Sequence, residues 1–193
     1  MSTAFMIMDS ANVPNACVLG NPPRLPKRWQ FSQGIPRAAT FPADFSWPMN
    51  PDFPNATLLV DNLINTDNML VISPKLKNFF VEQGIDHVEY LPLTILDHRG
   101  RPAAKDYVIA HLIDPVDCLD VAASKASFSD IQPDVVMDVE KVVLDPAKID
   151  PSRQLFRAKG FPAATIVTKK LADAIDAGGF VGIRWISLDK FRG

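Results

Sequence analysis

The stretch "LVISPKLKNFFVEQGIDHVEYLPL", Leu70 to Leu93, has an ungapped echo 95 positions later in "TIVTKKLADAIDAGGFVGIRWISL", Thr165 to Leu188. In the first copy an apolar run leads into Ser73, whose hydroxyl can accept from an unpaired N–H of a first helical turn. Pro74 follows, at the position where a missing N–H is tolerated. Leu76, Phe79 and Phe80 recur at i, i+3 and i+4, with Lys75, Lys77, Asn78 and Glu82 on the opposite face, which predicts a short amphipathic helix. Gly84 is placed to end it in the left-handed conformation. "HVEYLPL" then alternates His87 and Glu89 outward with Val88 and Tyr90 inward, the period of a half-buried strand. The second copy repeats these steps with Thr168 as cap, Leu171 and Ile175 on the apolar face, Gly179 as stop, and Ile183 and Trp185 inward. A helix of about ten residues is marginal alone, so each must lie on a sheet. The predicted fold is α+β: a mixed, largely antiparallel sheet built from two pseudo-repeated strand–helix–strand units, residues 70–93 and 165–188.

Working outward, Glu89 to Leu96 and Asp106 to Ile113 read as a hairpin closed around Asp97 to Pro102, with "DHRG" exposed at its tip. "DPVDCLDVAASKASFSD" reads as loop with a helical turn, the valines of "DVVMDVEKVVLD" favour a strand, and "QLFRAKGFPAA" reads as strand and turn. Nine of the 17 prolines precede Thr57, in stretches such as "GNPPRLP" and "FPADFSWPMNPDFPN", which rules out long helices and central strands there. Residues 1–55 therefore read as a Pro-rich arm, and 56–193 as the domain proper. The arm carries Trp29, Phe31, Phe41, Phe45, Trp47 and Phe53, more apolar bulk than a solvated linker holds, so it is expected to pack on the domain.

A chain of 193 residues with 47% hydrophobic and 22% charged residues suits one soluble domain, and a net charge of −2 exerts no general pull on nucleic acid or anionic membrane. The apolar runs are far shorter than a membrane span, and "MSTAFMIMDS" lacks the basic flank of a signal peptide, so a cytoplasmic protein is expected. Cys17 and Cys118 are expected as buried, reduced thiols.

No phosphate-binding glycine loop, G-x-S-x-G elbow, C-x-x-C pair or H-E-x-x-H motif occurs, and His87, His98 and His111 have no ligand or nucleophile at diagnostic spacing. No catalytic residue, metal or cofactor is expected. Asp114, Asp117 and Asp120 lack the glycine-punctuated spacing of a cation loop and read as solvated acids, with Asp120 capping a helical turn. Residues 112–150 hold nine acidic and three basic side chains, whereas 151–193 hold eight basic and three acidic. Such a polarity can steer a protein partner. The basic residues are dispersed, without the clustered face and stacking aromatics of a nucleic-acid site.

"VDCLD" and "LFRAKGFPAATIVTKKLADAIDAGGFVGIRWISL" resemble the eleventh family of bacterial immunity proteins, which protect cells from polymorphic toxins and were first catalogued as a domain of unknown function. The resemblance runs from about Leu58 to Leu188 and rests on Leu155 to Arg157, Ile166 to Thr168, Leu171, Gly179, Gly182 and Trp185. It implies a cytoplasmic antitoxin that binds and occludes a cognate toxin domain without catalysis. The surfaces expected to meet that partner are Asp114, Asp117 and Asp120, His98 and Arg99 of the hairpin tip, and Trp47 of the arm. Two rivals are a small hydrolase-like enzyme assembled from distant residues and a scaffold forming a homo-oligomer through the arm.

Overall fold

The computed structural model describes residues 4–23, 25 and 27–192. In chain order the first elements are β1 (Phe5–Ser10), α1 (Trp29–Ser32), β2 (Ser46–Pro48), β3 (Asn62–Leu63), β4 (Val71–Ile72), α2 (Pro74–Glu82), β5 (Val88–Leu96) and β6 (Pro102–Leu112). They are followed by α3 (Val121–Ser124), β7 (Ser127–Phe128), β8 (Val136–Asp138), β9 (Leu155–Ala158), β10 (Phe161–Thr168), α4 (Lys169–Ala177) and β11 (Ile183–Ser187).

The first quoted segment contains β4, α2 and the start of β5, the second the end of β10, α4 and β11. Ser73 Oγ accepts from Leu76 N at 3.1 Å and Thr168 Oγ1 from Leu171 N at 3.3 Å, so each helix starts where its hydroxyl satisfies a first-turn donor, worth about 1 kcal/mol. Beyond each helix, Gly84 (φ 67°) and Gly179 (φ 63°) take the left-handed conformation that turns the chain back. In each case the strands before and after the helix are separated by one antiparallel strand: β6 lies between β4 and β5, and β1 between β10 and β11.

The fold is α+β with mixed, largely antiparallel pairing, but the strands are divided between two main sheets instead of one. The five-stranded sheet runs β2-β5-β6-β4-β3, the four-stranded sheet β11-β1-β10-β9, and β7 and β8 form a separate hairpin. A nine-residue helix returns its chain only two strands away, so each segment needs its own intervening strand. The helices meet between the sheets. Leu76 and Phe80 of α2 share an apolar cluster with Leu171, Ala172 and Ile175 of α4, with Val108 and Leu112 of β6, and with Val167 of β10. Phe79 and Phe180 lie with ring centroids 4.9 Å apart, and Lys75 Nζ donates to the carbonyls of Gly178 and Gly179 at the end of α4.

β5 corrects the half-buried expectation. Its even residues Val88 and Tyr90 pack on the helix side, while Leu91, Leu93 and Ile95 are buried on the other face against Leu19, Phe31, Phe45 and Trp47. Glu89 faces the chain instead of solvent, accepting from Arg37 N at 2.5 Å and Ala38 N at 3.0 Å. The first 55 residues thus roof the five-stranded sheet. They also supply β1, the strand around which the four-stranded sheet is built, so residues on both sides of position 55 contribute to both main sheets and their cores. No helix among the described residues is long and apolar enough to cross a membrane.

Candidate functional site

The tip of the β5–β6 hairpin is ordered by one carboxylate. Asp97 accepts from the backbone N–H groups of Arg101 (2.9 Å) and Arg99 (2.8 Å) and from Arg101 Nε (2.9 Å). The Arg101 backbone bond leads the effects that hold this carboxyl down to about 2. His98 and Arg99 are thereby presented to solvent, with His98 Nε2 3.1 Å from Asn50 O. Asp114, Asp117 and Asp120 are also exposed, yet each is engaged separately. Asp114 Oδ2 lies 3.0 Å from His87 Nδ1, and Asp120 accepts from Ala123 N at 2.9 Å as the cap of α3. Asp117 borders a hollow shared with Lys159. Among the described residues no group of three acidic, histidine or cysteine side chains is placed to hold a metal. Trp47 is a correction: it is 0% exposed, and its Nε1 donates to Gly20 O at 2.9 Å, so it is a core residue and not a surface anchor.

A further concavity, lined by buried as well as exposed charged groups, lies elsewhere, in the seam between the two sheets. α1, the 67–70 turn, β6, β8, β9 and β10 enclose a cleft of about 450 Å³. Arg157 of β9 reaches it from below, 8% exposed. Its Nη2 donates to Asn68 O at 2.7 Å and its Nη1 to Phe31 O at 3.4 Å, whereas Nε has no partner. Asn68 takes a left-handed conformation (φ 51°), which asparagine tolerates. None of the ion pairs among the described residues includes Arg157. Burial lowers its pKa to about 10, so it remains charged at neutral pH. Arg28 and Asp67 pair across the cleft lining, and Asp67 Oδ2 has no donor. A second cleft of about 300 Å³ shares Asn68, Met69, Leu70 and Ala163 with the first, continuing the groove along the seam. Residue chemistry alone missed this site. Its one signal is an arginine inside the strand "LFRA", whose other members are apolar.

His111 lies in the floor of the same cleft. Its Nε2 is 2.8 Å from Ile35 O, so the proton sits on Nε2 and is donated to a carbonyl, an arrangement that activates no nucleophile. Burial lowers its pKa below the ordinary 6.5. The unfolded chain therefore binds a proton there first: the neutral form's stabilisation is complete above about pH 6.5 and is lost as pH falls toward the lower folded value. Unfolding free energy measured by urea titration should decline with pH below that point, and His111→Gln, which keeps an N–H donor, should flatten the decline. Cys17 and Cys118 are buried and free, their thiols pushed up by burial to about 12 and about 11, values that leave neither reactive near neutral pH.

A search of curated proteins finds no match to this chain. The family model described as Immunity protein family (Imm11) matches residues 10–190, beginning well before Leu58 and taking in most of the Pro-rich region. With nearly the whole described fold inside that match, the protein belongs to the Imm11 family of immunity proteins.

Proposed function

We propose that this protein protects a bacterial cell by binding the toxic domain of a polymorphic toxin in the cytoplasm and occluding it, without turnover. The observation that carries the reading is family membership over residues 10–190. Physical features agree with it. The exposed carboxylates at Asp114, Asp117 and Asp120 and the exposed His98 and Arg99 offer polar contacts of both signs. The seam groove offers a concave, partly apolar surface. A specific complex of this kind buries roughly 1,600 Å² with a few aromatic or arginine anchors.

The test is co-expression with the toxin domain encoded beside the gene. A stoichiometric complex that restores growth is expected. Toxin released from that complex by denaturation and refolding should regain activity and have unchanged mass. Two folded partners that elute separately would overturn the reading, and a toxin returned with altered mass would favour an enzyme instead.

A further inference from the structure

The seam cleft holds a charge without a counter-charge. A guanidinium taken out of water loses favourable hydration, and native proteins offset this with a paired, hydrogen-bonded anion. Among the described residues Arg157 has only two carbonyl partners, one at 3.4 Å, and an idle Nε–H. The other charges lining the cleft, Arg28 and Asp67, neutralise each other, leaving a net charge of one positive. Around the mouth stand Trp29, 48% exposed, and Met137, 61% exposed, and the β7–β8 loop adds Ile131, 90% exposed. These apolar groups gain nothing from a hydrated free ion, whereas a protein loop would cover them. Aromatic and arginine side chains are also the residue types that dominate binding energy in interfaces.

We propose that the cleft is the receptor for an aspartate or glutamate side chain, carried on an apolar-flanked loop of the bound toxin domain. The carboxylate accepts from Arg157, completing a charge-assisted pair in a desolvated site. Asp67 Oδ2, the idle acceptor, takes a backbone N–H of the same loop. The proposal rests on the immunity reading for the identity of the partner, but the carboxylate site itself is testable without it.

Calorimetric titration of the toxin domain onto variants maps the contact. Arg157→Met should weaken binding by about 30-fold or more, the effect of losing an interface anchor. Met137→Asp and Ile131→Asp should each weaken it by about tenfold. Val81→Asp, at a 57% exposed position on α2 outside the cleft, should stay within about twofold of wild type. If wild type binds and the cleft variants bind equally well, the toxin docks elsewhere: the proposal falls and the immunity reading stands. If Arg157→Met fails to melt cooperatively, the two exposed positions decide. In parallel, the arginine Nε–H resonance of Arg157, assigned by its loss in Arg157→Met, is followed in the free protein against N-acetylaspartate amide, inorganic phosphate and chloride. A saturable shift with the carboxylate, exceeding that with chloride, is expected. A shift with phosphate alone would mark a free-oxyanion site, and no saturable shift would mark a purely structural arginine; either overturns the proposal, whatever the toxin titration gives.

Discussion

Deletion of residues 1–55 is expected to leave residues 56–193 without a cooperative thermal transition. β1 is paired on both sides, through Phe5 to Met8 with β10 and through Met6 to Ser10 with β11. Ile7, 1% exposed, points into the cluster of Phe156, Phe161 and Ile166, and Met8, 4% exposed, into the cluster holding both helices. Removing the strand leaves two facing rows of backbone donors and acceptors unpaired inside one sheet. The same deletion takes Leu19, Phe31, Phe45 and Trp47 from the outer face of the five-stranded sheet. Each fully buried side chain of this kind stabilises by roughly 1.5–3 kcal/mol, so six of them together match or exceed the roughly 5–15 kcal/mol of a whole domain. Far-ultraviolet circular dichroism with heating checks this. A sharp melt from the truncated chain would show that the first 55 residues are an appendage after all. The same deletion cannot test self-assembly through the arm, because it removes a core strand along with the arm's surface.

Local signals along the chain read well because their causes are local. Ser73 and Thr168 cap helices, Gly84 and Gly179 stop them, and Asp97 to Pro102 turns, each for a reason complete within a few residues. What the sequence conceals is which surfaces meet. Trp47 among prolines has the same letters whether it faces solvent or fills a core, and the alternation of β5 becomes two-sided only because the arm lies over its second face. β1 carries no mark of a centre strand, since its partners lie more than 150 residues away. The resemblance identified at Leu155 to Arg157 located the family, yet Arg157 gains a reason only when Asn68 and Phe31 are seen to be its sole partners among the described residues. A polar residue in an apolar strand is the detectable half of that signal; the cleft above it depends on four distant segments, around α1, residues 67–70, β6 and β8.

Gly182→Ala is expected to destabilise the protein by about 2–5 kcal/mol, combining a left-handed backbone penalty with a collision. Gly182 has φ 91°, and a Cβ there would lie 2.5 Å from Asn62 O and 2.7 Å from Val60 Cγ2. The position is a suture between the sheets. Gly182 O accepts from Ala11 N at 2.9 Å, just past β1, and from Asn62 Nδ2 at 3.3 Å in β3. One residue earlier, Val181 N donates to Asp61 Oδ2 at 2.9 Å, while Asp61 Oδ1 accepts from Ser73 Oγ at 2.6 Å. A shift large enough to admit the methyl group therefore disturbs both sheets and the cap of α2 together. At about 2–4 °C per kcal/mol for a chain of this size, the melting temperature should fall by roughly 4–20 °C. Gly84→Ala supplies the comparison: φ is 67°, but nothing lies within 4 Å of its Cβ, so only the backbone penalty of about 1–2 kcal/mol applies. A Gly182→Ala protein that melts no lower than Gly84→Ala would mean that the seam yields without cost. The two sheets would then move relative to each other, and the groove between them would take its shape from the partner instead of presenting one ready-made.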